Sequence, residues 1–146
     1  MKLFLDTSSL LKLYHQEDGT AELESVFSTA KITHIFLSEI SKVEFTSTVW
    51  KKVRTKEISE SVAKTTLELF ESDFAKYTFA ATDSIILEQA RNLASKYGVA
   101  GLRTLDSIQL STCVALSEQV DVFFTADKLL KTLLETEGLQ TEMPKS

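Results

Sequence analysis

Three short runs of bulky, uncharged residues limit what this chain can fold into: Leu3-Phe4-Leu5, Ile35-Phe36-Leu37 and Val122-Phe123-Phe124. Each is apolar throughout rather than alternating, which is the pattern of a strand buried on both faces. Polar turns cut them off, and stretches with helical spacing of apolar residues separate them. Buried strands alternating with helices belong to the α/β class, with a parallel sheet covered on both sides.

The helices can be placed from their caps and stripes. Asp6-Thr7-Ser8-Ser9 ends the first strand and opens a helix carrying Leu10, Leu11, Leu13 and Tyr14, which breaks at Glu17-Asp18-Gly19. A second helix runs to about Ala30. Ser38 is placed to cap a long helix over 39–54 with an inward stripe of Ile40, Val43, Ser47 and Trp50. Ser59 can cap a helix carrying Val62, Leu69, Phe70 and Phe74, and a strand follows near Thr78. Asp83 caps a helix with the stripe Ile86, Ala90, Leu93 and Tyr97, stopped at Gly98. Thr104 caps a helix apolar on most sides through Leu116, so this one should be central. After the third apolar run comes a helix of Leu129, Leu130, Leu133 and Leu134, ended by Gly138 before a last short strand near Leu139. Residues 1–146 read as one domain, with 142–146 a loose tail.

Composition excludes several classes. Hydrophobic residues are 43% and charged residues 25%, a globular balance. No stretch approaches the roughly 18 uncharged apolar residues of a membrane span, so no membrane association is expected. Asp6 comes too early for a signal-peptide apolar region, and Cys113 has no second cysteine to pair with. A reducing cytoplasm is the expected compartment, with Cys113 a buried small hydrophobe. The net charge of −5 does not advertise nucleic-acid binding. Residues 42–56 hold Lys42, Lys51, Lys52, Arg54 and Lys56 against the single acid Glu44. These bases could complement a helix C-terminus or track phosphates, and the first reading is the simpler.

Four acids stand where acids are awkward. Asp6 directly follows the first strand and Asp127 closely follows Val122-Phe123-Phe124, at the carboxyl ends where open parallel sheets bind ligands. Each could equally be a helix cap. On a helix over 39–54, Glu44 shares the inward face, where an ionised acid is costly without a cation or donor. Ser41-x-x-Glu44 also matches a capping box, but only for a helix that starts at Ser41. Asp106 lies in the first turn of a helix with no charge from Ser107 to Ser117, either as a cap-region acid or as a ligand facing a cleft. Gathered on one rim, four such acids would raise one another's pKa values unless a divalent cation held them. Oxygen donors without a convincing His or Cys favour Mg²⁺, with Mn²⁺ a possible substitute, over zinc.

These positions carry a family resemblance. The stretch from Asp6 through Tyr14 resembles the opening of a VapC-type PIN domain, and Ser41-Lys42-Val43-Glu44 its second acidic motif. Leu102-Arg103-Thr104-Leu105-Asp106-Ser107-Ile108-Gln109-Leu110 is similar to the third motif, and Phe124-Thr125-Ala126-Asp127-Lys128-Leu129 to the last. The motifs occur in family order over almost the whole chain. The resemblance implies a three-layer α/β/α fold and metal-dependent endonucleolytic cleavage of RNA by a toxin that is usually a homodimer, silenced by a cognate antitoxin. It makes Asp6, Glu44, Asp106 and Asp127 metal ligands, the last more variable, and has Thr125 hydrogen-bond a water on the ion. Residues 58–77 lie where the family varies.

Competing readings fit less well. A haloacid-dehalogenase-like phosphatase needs a second Asp two residues after the first, where this chain has Ser8. A phosphoacceptor receiver domain needs an Asp ending a central strand of a kind not found here. A catalytically silent PIN-like scaffold that binds RNA or protein would have no use for an inward Glu44.

Overall fold

The computed structural model describes residues 1–144. Among them five strands form one sheet: β1 (Lys2–Leu5), β2 (His34–Ser38), β3 (Thr78–Ala80), β4 (Val122–Phe124) and β5 (Thr141–Glu142). The sheet order is β3-β2-β1-β4-β5, and every neighbouring pair is parallel. Phe4 stands in register with Phe36 on one side and Phe123 on the other, so the three apolar runs lie together at the centre. From β1 the chain steps outward through β2 and β3, then crosses to β4 and β5. The direction of winding therefore reverses between β1 and β4, where open α/β sheets leave a crevice at the carboxyl ends of the strands.

Side chains of successive strand residues go to opposite faces. Leu3, Leu5, Leu37 and Phe124 join a core with α1 (Thr7–Leu11), α2 (Thr20–Thr29), α3 (Ser41–Arg54) and α4 (Glu60–Ser72). Phe4, Phe36 and Phe123 join a second core with α5 (Ser84–Lys96), α6 (Thr104–Ala115) and α7 (Lys128–Thr136). This is the three-layer α/β/α arrangement with a parallel central sheet. Cys113 is fully buried in the second core. No described helix is long and apolar enough to cross a membrane.

Several local expectations need correction. The helix expected over 39–54 begins only at Ser41, because Ser38 and Glu39 remain bound to the sheet. Ser38 pairs with Ala80, and the Glu39 amide donates to the Ala80 carbonyl at 2.9 Å. Ile40 is the cap residue and makes no side-chain capping bond. The delayed start turns the inward face to Ser41, Phe45 and Val49, and leaves Val43 70% exposed. On α4 the cap at Ser59 stands, but Val62 and Leu69 face outward while Ala63, Thr66 and Phe70 face inward. Phe70 fixes that phase by packing its ring 4.2 Å from Phe45. Phe74 lies beyond the helix in a 3-10 turn, and Thr104 is the first residue of α6 rather than its cap.

The segment expected to be a loose tail is in part fastened. Glu142 belongs to β5, its carbonyl accepts from the Thr125 amide at 3.2 Å, and Pro144 is buried. Positions 145–146 of the expected tail lie outside the described residues. Pro144 packs on Gly19, the cap of α2, which has φ +92; a Cβ there would meet the Pro144 carbonyl oxygen at 2.7 Å. Gly138, at φ +84, has nothing within 4 Å of a built Cβ. Gly19→Ala should therefore cost roughly 2 kcal/mol in urea unfolding and Gly138→Ala roughly 1 kcal/mol. Equal losses would show that the Pro144 contact contributes nothing.

Candidate functional site

The crevice at the β1/β4 reversal is built first from Asp6. Its amide donates to the Phe124 carbonyl at 3.1 Å, which carries the β1–β4 pairing one residue past the strand. Its Oδ1 caps α1 by accepting from the Ser9 amide at 2.9 Å. The Ser8 hydroxyl donates to the same carboxylate, and the Thr125 hydroxyl donates to Oδ2 at 2.6 Å. Asp6 is 4% exposed, and burial pushes its carboxyl up to about 6 against the lowering effect of these hydrogen bonds, Thr125 foremost.

Thr125 and Ser8 carry the lacing onward. Thr125 Oγ1 accepts from the Asp127 amide at 3.0 Å, and Ser8 Oγ accepts from the Ala126 amide at 2.9 Å. These bonds set the turn after β4, from which Asp127 caps α7 by accepting from the Leu130 amide at 2.8 Å through Oδ1. Thr125 is fully buried behind Asp6, so its hydroxyl supports that carboxylate directly.

Glu44 arrives on the first turn of α3 after β2. Its Oε1 accepts from the Thr7 hydroxyl at 2.9 Å and from Gln109 Nε2 at 2.8 Å. Ser41 is the first residue of α3 rather than its cap, and its Oγ bonds Thr7 and Gln109, so it forms no capping box with Glu44. Asp106 sits in the first turn of α6 and accepts no hydrogen bond among the described residues, so it is not a cap. Burial raises its carboxyl above the usual range, the charges of Asp127 and Glu44 raise it further, and Arg103 partly offsets them. That electrostatic contact joins acids from three separate elements.

All four acids line one cleft of about 260 Å³, along with Thr7, Ser8 and Gln109. Among the described residues no three acid, His or Cys side chains converge closely enough to hold one ion directly. The donor set nevertheless fits a hard divalent cation that keeps part of its water shell. It is oxygen-only, and Asp106, Glu44 Oε2 and Asp127 Oδ2 accept no hydrogen bond among the described residues. None of the bases of 42–56 lines this cleft. Lys51, Lys52 and Arg54 occupy the last turn of α3, the opposite end from Glu44, where they complement the helix dipole. Lys42 lies over the Phe79 ring at 4.4 Å.

Thr7, Ser41 and Gln109 are the site residues that reading the acids alone overlooks. The signal for Gln109 was available: it is the one long polar side chain on the uncharged face of α6, one turn after Asp106.

A pH dependence follows from Asp106. Its folded-state pKa is raised, so the folded protein keeps that proton to higher pH than the unfolded chain does. The favourable contribution is full below about pH 4 and is lost as pH rises through the folded value. In EDTA at pH 7, Asp106→Asn should therefore be more stable than wild type, by roughly 0.5–1 kcal/mol after allowing for solvent screening of a half-exposed group. The gain should shrink as pH is lowered toward 4, measured by thermal melts. A variant less stable than wild type at pH 7 would make Asp106 a structural residue.

Comparisons with known proteins agree with this fold. Residues 3–133 match the PIN domain family. No curated protein matches the sequence. Among solved structures, the chain is similar to FitAcB from Neisseria gonorrhoeae, with TM-score 0.69, 14% identity and 97% of each chain covered. It is also similar to VapC20 from Mycobacterium tuberculosis, a sarcin-ricin loop cleaving toxin, with TM-score 0.68, 13% identity, and 90% of this chain and 94% of that one covered. VapBC2 from Rickettsia felis, bound to a DNA fragment from its promoter, matches with TM-score 0.64, 17% identity and 98% of each chain covered. The fold is thus that of VapC-type toxins, and with the family match spanning most of its length, the chain belongs to the PIN-domain family.

Proposed function

We propose that this protein is a magnesium-dependent endoribonuclease and the toxin of a toxin–antitoxin pair. The observation that carries the reading is the single cleft at the sheet's reversal point, lined by Asp6, Glu44, Asp106 and Asp127. Mg²⁺, or Mn²⁺ in its place, supplies when bound a relief of phosphoryl charge and an easier deprotonation of the attacking water. Asp6, Asp106 and Glu44 through Oε2 would hold it, in part through its water shell, with Asp127 as the fourth and more variable ligand. Thr125 and Ser8 hold Asp6 still, so the acids need little rearrangement on binding. The exposed cations nearest these acids in sequence, Arg103, whose charge acts on Asp106, and Lys128, next to Asp127, would be available to RNA phosphates flanking the cut. Local cations of this kind answer the acidic overall charge.

The similarity to structures described as VapBC complexes supports a protein antitoxin as partner. An Arg or Lys from it would satisfy the same carboxylates as a metal ion and so silence the site. A homodimer is the assembly expected of such a toxin.

Cleavage of structured RNA should require Mg²⁺ or Mn²⁺ and stop in EDTA, with Asp6→Asn and Asp106→Asn each reduced by about 100-fold or more. Asp127→Asn should lose less activity, because the fourth acid would act through water, and Asn keeps the α7 cap; Asp127→Ala should also lose about 1 kcal/mol of stability. Expression should arrest growth, and a co-expressed partner encoded beside it should relieve the arrest. Undiminished cleavage in EDTA, or a fully active Asp106→Asn, would contradict this function.

A further inference from the structure

Gln109 is 2% exposed, one of the largest side chains taken fully out of solvent. A buried amide is costly unless its hydrogen bonds are made. Its Nε2 lies 2.8 Å from Glu44 Oε1, 3.0 Å from Ser41 Oγ and 3.3 Å from Thr7 Oγ1. Its Oε1 is buried and accepts no hydrogen bond among the described residues. The carboxylate explains why the amide faces this way and leaves its oxygen unsatisfied. An ionised carboxylate only accepts, so the reversed amide would set two acceptor oxygens 2.8 Å apart.

The protons can be followed around the cluster. The Thr7 hydroxyl donates to Glu44 Oε1, so the 2.9 Å contact between Thr7 and Ser41 takes its proton from Ser41. The Ser41 oxygen is then free to accept one Nε2 proton of Gln109, while the other goes to Glu44. The chain of bonds ends on one atom, Glu44 Oε1, and Glu44 Oε2 accepts none among the described residues. Its members come from α1, α3 and α6, the elements that also present Asp6, Glu44 and Asp106. A free glutamate has three side-chain torsions to order when it takes up a ligand; here they are ordered beforehand.

We propose that Gln109, acting with Thr7 and Ser41, is a positioning residue that clamps Glu44 by Oε1 and reserves Oε2 for the divalent ion. The inference rests on the metal-nuclease reading above. A purely structural Gln109 would fill space and satisfy Ser41, and its loss would be felt equally with or without Glu44.

The test is a double-variant cycle on the full chain, reading Mn²⁺ affinity from the free-ion paramagnetic resonance signal, with melts in EDTA to establish folding. Gln109→Leu should weaken Mn²⁺ binding about tenfold, as loss of a residue that orients a ligand does. In a Glu44→Ala background the same change should weaken it less than about twofold, because the group it acts through is gone. Equal weakening in both backgrounds, or none in either, overturns the positioning role. Wild type binding no Mn²⁺ overturns the metal-nuclease reading itself, a different and separable result. If Gln109→Leu does not fold, Thr7→Val, which removes the other donor onto Oε1, carries the same expectation and is overturned by the same results.

Discussion

The Thr125 hydroxyl lies between two strand ends, giving its proton to Asp6 Oδ2 at 2.6 Å and taking one from the Asp127 amide at 3.0 Å. The rest of the cleft depends on that bond. It joins β1 to the turn after β4 across the point where the sheet reverses its winding, and it fixes a carboxylate in surroundings that oppose its charge. With Ser8 reaching across to the Ala126 amide, it also sets where α1 and α7 begin, and hence where Asp127 stands. A hydrophobic sheet alone would bring these strand ends together without deciding which groups face the crevice.

The acids are arranged at some cost to the fold. Asp6 is pushed up to about 6 by burial, and Asp106 is raised by burial and by its acidic neighbours. Of the four cleft acids, Asp6 and Asp127 cap helices, each with one oxygen. Repulsion held in place by a surrounding hydrogen-bond frame is a recurrent property of sites that meet a cation, because strain there is relieved on binding. The frame is made of hydroxyls, backbone amides and the Gln109 side-chain amide, neutral groups that order the carboxylates without neutralising their charge.

The sheet was legible because both its faces are covered. Leu3-Phe4-Leu5 and Val122-Phe123-Phe124 have no polar alternation to confuse with a loop or surface strand, and they form β1 and β4. Helix phase was less legible. One backbone bond from Glu39 to Ala80 delays α3 and rotates Val43 outward, and nothing local announces a bond to a strand more than forty residues away. The acids showed themselves by being charged where charge is costly. Their supports did not, since Thr7, Ser41 and Gln109 are ordinary helix residues by composition. Thr7 and Gln109 meet across a separation of 102 residues, which no local pattern records.

The divalent-ion binding proposed for this fold belongs at the carboxyl ends of β1 and β4. Titrating substoichiometric Mn²⁺ into the ¹⁵N-labelled protein tests it most directly, because paramagnetic broadening marks residues by their distance from the ion. The amides of Ser8, Glu44, Asp106 and Asp127 should broaden first and together, with those at the C-terminal end of α3 spared. No selective broadening, or broadening centred on surface acids such as Glu60 and Glu71, would contradict the account.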